Sequence, residues 1–436
     1  MTKTTSMQRR IVTDTVPGPE SRRLLEQAAA QEGPAASRQP SIAWKRAEGV
    51  HVEDVDGNVF LDFTSSVLVA AVGHRHPRVV EAITEQSHEL LHSYNFVNEW
   101  RVELGRRLVE LGRPHGLDRT FIATTGAEVV ELALKLARWK TGRSGTLALE
   151  GGYHGKTIAA TAVGGKAESR AGLGDLLPGV VHLPFPMAGR PDSAEAERRA
   201  LDALERVDGS QIGTVIIEAL QGNAGQRATS REFLQALQDF TRRNDAVLVI
   251  DETQSAFGRA GSWFAFEGFG LQPDLVIAGK GISSSLPLTA LFGRSEVIDA
   301  APRGALSSTH GGNPMACRAA CVVLDLLQSE GLLENSAEVG AYLLAGLREG
   351  IQRAGIEAEA RGTGLMIGVE ILDGAGAPDP ARARAVVEAA WRRGLLVLAP
   401  IGLAKNVVRV SPPLVLTREQ AAEGIGILGE AFAEAA

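Results

Sequence analysis

Short apolar runs and helical stretches alternate through most of this chain. Seven runs have the character of buried strands: Thr120 to Thr124, Thr146 to Leu149, Val180 to Leu183, Thr214 to Glu218, Val247 to Ile250, Leu275 to Ala278 and Thr289 to Phe292. They are too short to be helices, and most are apolar at consecutive positions rather than at every second one, as strands buried on both faces require. Helical patterns precede and separate them. Arg78 to Leu91 and Trp100 to Leu111 come first; Val129, Leu132, Ala133 and Leu136 then share one helix face, and Phe233 to Asn244 follows. This rhythm predicts a mostly parallel seven-stranded sheet with helices on both faces, an α/β arrangement that collects ligands at the carboxyl ends of its strands.

The two ends of the chain read differently. Residues 1 to about 40 are polar and broken by Pro17, Pro19, Pro34 and Pro40, with Ser21 to Gln31 as one helix. From Ile42 to Phe63 alternating residues flank Asp56-Gly57, a hairpin signal. Beyond the helix that begins near Pro314, the helical stretches are Glu338 to Ala354, Ala381 to Arg393 and Arg418 to Ala435, and the strands Gly364 to Leu372, Leu395 to Ala399 and Val407 to Val410. These describe a smaller α+β domain completed by the N-terminal hairpin. The expected division is 1–74 for the N-terminal segment, 75–320 for the large domain and 321–436 for the C-terminal small domain.

Composition narrows the functional classes. A chain of 436 residues, 44% hydrophobic, can bury a large core, and a net charge of -7 argues against a nucleic-acid partner. The two cysteines, Cys317 and Cys321, lie four apart in a helical stretch and read as packing in a reduced, cytoplasmic protein. No apolar run is long enough for a membrane span, and the nine histidines fit no metal pattern.

The candidate chemistry sits at strand ends. Lys280, in PDLVIAGKGISSS, ends a buried strand between two glycines. Such a lysine is a phosphate clamp, an amine tuned for covalent chemistry, or a side chain leaving the sheet for solvent. In TTGAEVVELALKLARW a strand gives way at Gly126 and Ala127 to a helix, whose first N–H groups suit an anion; an ordinary strand-to-helix turn looks the same. Asp251 and Glu252 close VLVIDETQ. A buried acid there needs a donor or a cation, and either a helix cap or a partner for a protonated ring nitrogen would fit. EGGYHGKT departs from the nucleotide loop GxxxxGK[ST] only in having Glu150 at the first glycine, and Tyr153 within it could cover a flat ligand. Arg409, in KNVVRVSPPL, is a structural ion-pair residue or a carboxylate receptor.

Taken in order, DVDGNVFLDF, GHRHP, TTGAE, YHGKT, IIEALQG, IDETQSAFGRAG, PDLVIAGKGISSSLPL, THGGNPMAC, RGTGLMIGVE and VVRVSPPL resemble the class III pyridoxal-phosphate (PLP) aminotransferases. That family has PLP fold type I and includes the 4-aminobutyrate and acetylornithine aminotransferases. The resemblance implies that Lys280 forms the internal aldimine with PLP and moves the substrate proton. It implies Asp251 as partner of the pyridine nitrogen, Gly126 and Ala127 as phosphate donors, and Tyr153 as the ring-stacking aromatic. Thr253 would lie beneath the ring and Gln254 near its 3-hydroxyl. Thr309 would reach the phosphate of the second subunit of a homodimer. Arg409 would receive the substrate α-carboxylate, with Lys156, Asn223 and Val67 also facing substrate.

Three of these positions depart from the family pattern. Asn223 stands where many relatives have a glutamate in QGEGG, and cannot neutralise Arg409. Lys156 replaces the arginine of 4-aminobutyrate enzymes and keeps charge without the planar fork; Thr253 replaces the usual valine. The resemblance therefore implies a two-step transfer of an amino group from an amine or amino acid to a 2-oxo acid. A PLP racemase, epimerase or decarboxylating relative on the same scaffold is the alternative.

Overall fold

The computed structural model describes residues 7–36, 42–190 and 192–436, so Pro40 of the N-terminal stretch lies outside the described residues. The chain divides into two compact units. One comprises Arg78–Phe257 and Ser262–Gln328; the other takes the chain up to Pro77, the short insert Gly258–Gly261, and Ser329–Ala436.

The larger unit is built on a sheet of seven strands: β1 (Arg119–Ala123), β2 (Gly145–Leu149), β3 (Val180–Leu183), β4 (Ile212–Ile217), β5 (Val247–Asp251), β6 (Leu275–Ala278) and β7 (Thr289–Gly293). Their spatial order is β1-β7-β6-β5-β4-β2-β3. Only β7 runs against its neighbours, pairing antiparallel with both β6 and β1. Helix α1 (Gly126–Thr141) starts at the Thr125 cap, whose hydroxyl accepts the Glu128 N–H, and ends where Gly142 (φ +69°) turns left-handed. Its Val129, Ala133 and Leu136 pack on Ile216, Val249, Ile277 and Leu291, one face of the central strands. The helix Arg231–Arg243 buries Phe233, Leu234 and Leu237 and packs against β4 and β5. Burial on both faces explains why these strands carry no alternation in sequence.

The smaller unit joins both ends of the chain. The strands Trp44–Glu48, His51–Asp54 and Val59–Asp62 form an antiparallel meander, and Leu395–Leu396 adds to it in parallel, Leu395 opposite Leu61. A second sheet holds Ala358–Thr363, Met366–Ile371 and Val407–Val410, with Arg409 opposite Gly368. Several segments absent from the sequence pattern are present in the fold, among them the helix Ser193–Glu205, the strand Ala358–Thr363 and the two-stranded hairpin Leu220–Gln221 with Arg227–Ala228. The strand is half-exposed and charged, and the hairpin too short to show a period.

Just past β5, Glu252 ties the next loop to the sheet. Its buried carboxylate accepts from Ser255 Oγ at 2.5 Å, Ala265 N at 3.0 Å and Phe266 N at 2.8 Å. Burial nevertheless dominates and pushes its pKa up to about 7 from 4.5. The folded protein therefore holds this proton more tightly than the unfolded chain. That contribution to stability is full below about pH 4.5 and is lost as the pH rises through about 7. Urea unfolding of the wild type and of Glu252→Gln between about pH 5 and about pH 8 should show the wild type losing ground steadily and then levelling. A constant difference would place the carboxyl's titration elsewhere.

Candidate active site

Every group in the larger unit that the sequence singles out, except Thr309, is carried at or just beyond the carboxyl ends of the strands. Asp251 ends β5, one position past the pair Ile250–Ile217 and abreast of Ile277 on β6. Two residues beyond β6 comes Lys280, half-buried at the start of a single 3-10 turn (Lys280–Ile282). Its φ of +48° lies in the left-handed region, which a residue with a β-carbon occupies only when its surroundings enforce it. Gly279 before it has no room for a side chain: a β-carbon there would stand 2.8 Å from Thr289 Oγ1 and 3.5 Å from Thr253 Cγ2. Strand ends and close packing thus place Lys280 and Asp251 at the ends of adjacent strands.

Asp251 is buried and must be balanced. Its Oδ2 lies 2.9 Å from Nδ1 of His154, which is equally buried. Burial alone would drive the acid up and the imidazole down. The hydrogen bond and mutual attraction prevail in both, leaving Asp251 below and His154 above their ordinary values. The Thr253 N–H donates to the other oxygen of Asp251 at 3.0 Å.

His154 comes from the loop after β2, which also carries Tyr153 and Lys156. The loop is pinned twice more: Tyr153 N donates to Glu218 Oε1 at 2.8 Å, and Thr157 Oγ1 donates to Glu131 of α1 at 2.6 Å. At Gly155 (φ +130°) it passes so close to α1 that a β-carbon would meet that of Ala127 at 2.6 Å. Tyr153 is half-buried and Lys156 exposed. A nucleotide-loop reading of EGGYHGKT does not suit this geometry, because the Tyr153 amide is spent on a carboxylate.

The Thr125 cap takes the Glu128 amide, so the first amides of α1, at Gly126 and Ala127, remain directed at the helix start. A β-carbon at Gly126 would lie 3.2 Å from Thr253 Cγ2, which keeps this turn hard against the end of β5. Gln254 is buried, and its Oε1 has no hydrogen-bond partner among the described residues. Asn223 follows the hairpin strand Leu220–Gln221; its side-chain oxygen accepts from Lys166 Nζ at 2.7 Å. Glu218, buried beside this cluster, is pushed up to about 7 chiefly by burial, with His154 opposing and Asp251 adding to the rise. Thr309 sits exposed in a turn before the helix Pro314–Ser329.

Val67 and Arg409 belong to the smaller unit. Ser65, Ser66, Val67 and Leu68 run through four consecutive left-handed conformations, φ +49°, +50°, +62° and +70°. For residues with β-carbons this costs roughly 1–2 kcal/mol each. The turn is held by Ser65, whose hydroxyl donates to Ser411 O at 2.7 Å and accepts from Arg259 at 3.2 Å. Arg259 is fully buried and donates also to Leu365 O at 3.0 Å and Pro412 O at 2.5 Å. Burial, opposed by Asp62 and reinforced by Arg409, lowers its pKa to about 9. Arg409, itself buried on its strand, thus shares its neighbourhood with a second arginine. His154, Glu218, Lys166 and Arg259 escape a residue-by-residue sequence reading. The signal for the first was its position directly after Tyr153, and for the second its place as a strand-end acid beside Asp251.

An anion-directed helix start, an aspartate kept ionised in a buried position, a half-buried aromatic, an unmatched amide oxygen and a constrained lysine fit a flat cofactor with a phosphate, a basic ring nitrogen, a hydroxyl and an aldehyde. That class is the PLP enzymes. The family model for aminotransferase class-III matches residues 33–432, and the chain belongs to this family. It is 34% identical over 436 residues to an alanine/serine racemase of Pyrococcus horikoshii, covering 95% of this chain and 91% of that one. It is 34% identical over 399 residues to the acetylornithine aminotransferase of Methanothermobacter thermautotrophicus, covering 91% and 95%. An amine transaminase from an uncultivated Pseudomonas species, solved in its PLP-bound form, superposes with a TM-score of 0.85 at 28% identity over 99% of both chains. The protein is a PLP-dependent class III aminotransferase with an α/β fold.

The His154–Asp251 pair yields a direct test. His154→Ala leaves a buried aspartate without its imidazole partner, so PLP binding, titrated by absorbance, should weaken about tenfold or more. His154→Asn, which restores a hydrogen bond without charge, should recover only part of that loss. Wild-type affinity in both variants would separate this pair from the cofactor.

Proposed function

We propose that the amino group passes from an amine or amino acid to a 2-oxo acid at the strand ends around Lys280 and Asp251. The observation that carries this assignment is the buried Asp251, held as an aspartate by His154 at 2.9 Å on the strand next to the one that leads into Lys280. When bound, PLP supplies the aldehyde that captures the amine and the ring that accepts its electrons. Lys280 would hold the cofactor and, once displaced by substrate, would carry the proton of the substrate α-carbon. Asp251 would keep the ring nitrogen protonated, the amides of Gly126 and Ala127 would receive the phosphate, and Tyr153, Thr253 and Gln254 would hold the ring and its 3-hydroxyl.

On the substrate side Arg409 receives the α-carboxylate, and Lys156, Asn223 and Val67 shape the remainder. Lysine and asparagine at 156 and 223 support a donor other than 4-aminobutyrate or acetylornithine. The racemase alternative is not favoured: the matched family model is that of the aminotransferases, and Asn223, whose oxygen is engaged by Lys166, cannot serve as a second base.

The active form is a homodimer in which Thr309 of one subunit reaches the phosphate held by the other. The exposed Leu91, Tyr94, Phe96 and Val97 of the larger unit support a subunit contact there. The segment before residue 75 serves the small domain, and 75–320 binds the cofactor. Cys317 and Cys321 are free, buried thiols and support a cytoplasmic setting. No helix among the described residues is long and apolar enough to cross a membrane.

Lys280→Ala should abolish multiple-turnover transfer to a 2-oxo acid across a panel of amines and amino acids, with circular dichroism unchanged. Sustained turnover in that variant would remove the assignment. Sedimentation of the wild type as a monomer at micromolar concentration would remove Thr309 from it.

A further inference from the structure

Glu218 has no part in the chemistry just assigned, yet it stands at the centre of the groups that do. It follows β4 directly, and the pairing of Ile217 with Ile250 sets it abreast of Asp251 on the adjacent strand. It is 3% exposed. Each of its carboxyl oxygens takes one backbone N–H. Oε1 accepts from Tyr153 at 2.8 Å and Oε2 from Gly222 at 3.1 Å.

These two amides belong to separate segments. Tyr153 lies in the loop after β2, and the next residue, His154, is the one bonded to Asp251. Gly222 lies in the hairpin that begins at Leu220, and the next residue is Asn223. Two acids from adjacent strand ends therefore grip one dipeptide, Asp251 through the imidazole and Glu218 through the backbone. The second oxygen of Glu218 extends the grip to the hairpin. A carboxylate that served only to end a strand would need one such partner; this one joins two loops far apart in sequence.

We infer that Glu218 is a positioning residue for amino transfer, fixing the place of Tyr153 and Asn223 against each other through its two oxygens. The inference rests on the proposed roles of Tyr153 and Asn223 and adds the group that sets their separation. Glutamine at 218 has the same shape but one acceptor oxygen, since its NH2 cannot accept an N–H. Aspartate keeps both oxygens but is one methylene shorter and cannot reach both amides.

Hydrogen exchange of the cofactor-free protein reads the clamp without reference to activity. In the wild type the amides of Tyr153 and Gly222 should be protected; rapid exchange there would overturn the inference. In Glu218→Gln and Glu218→Asp, exchange within 150–157 and 220–228 should rise about tenfold or more, while Ala265 and Phe266, held by Glu252, stay as in the wild type. In the cofactor-loaded variants KM for the amino donor should rise more than kcat falls. Unchanged exchange in both segments overturns the inference. So does a rise shared by Ala265 and Phe266, which marks general loosening, or an unaltered KM. Failure of the wild type to bind PLP or transfer an amino group would instead remove the functional assignment, leaving the exchange data to judge the clamp by themselves.

Discussion

A carboxylate taken out of water keeps its charge only if something nearby answers for it. In this protein the answer to Asp251 is the imidazole of His154, 2.9 Å away, and much of the surrounding geometry follows from that requirement. The imidazole must be delivered from another loop, so the chain after β2 crosses over α1 at Gly155, where a side chain would collide with Ala127. That crossing fixes where Tyr153 stands. Thr253, Gly126 and Gly279 are also packed together, so the helix start, the end of β5 and the turn at Lys280 meet with little slack. The candidate site groups are thus arranged by a charge-balance constraint as much as by the sheet that carries them.

The fold was legible where burial is complete and repeated. The five inner strands are visible because both faces are covered, and the sequence limits of all seven fall within about two residues of the structural ones. Lys280, Asp251 and Gly126 were legible because each directly ends such a run or begins the next helix. The antiparallel direction of β7 was not, since its run looks like the parallel ones and nothing local records direction. The helix Ser193–Glu205 was missed because only Ala200 and Leu204 of it are buried, which leaves almost no apolar stripe to read.

The supporting groups were harder to see for a different reason. His154, Glu218 and Arg259 matter through partners 97, 65 and 194 residues away, at Asp251, Tyr153 and Ser65, and no spacing rule spans such separations. The place of His154 beside Tyr153 marks it as near the candidate site but does not tell that its partner is Asp251. An arginine followed by Ala260 and Gly261 carries none that it will be buried with three oxygens around it. Residue type indicated which side chains could do chemistry; only the folded chain indicates which hold them still.

The left-handed run from Ser65 to Leu68 has a consequence for how this protein can change. Valine at φ +62° is among the side chains least suited to that conformation, and its neighbours fare little better. Glycine at 66 would relieve part of the tension and should be favoured in any selection for robustness alone. The same replacement would let the segment around Val67 sample other shapes, so drift there trades rigidity for tolerance. A lineage kept under pressure for one substrate should retain the awkward backbone, whereas one released from that pressure should shed it first at position 66.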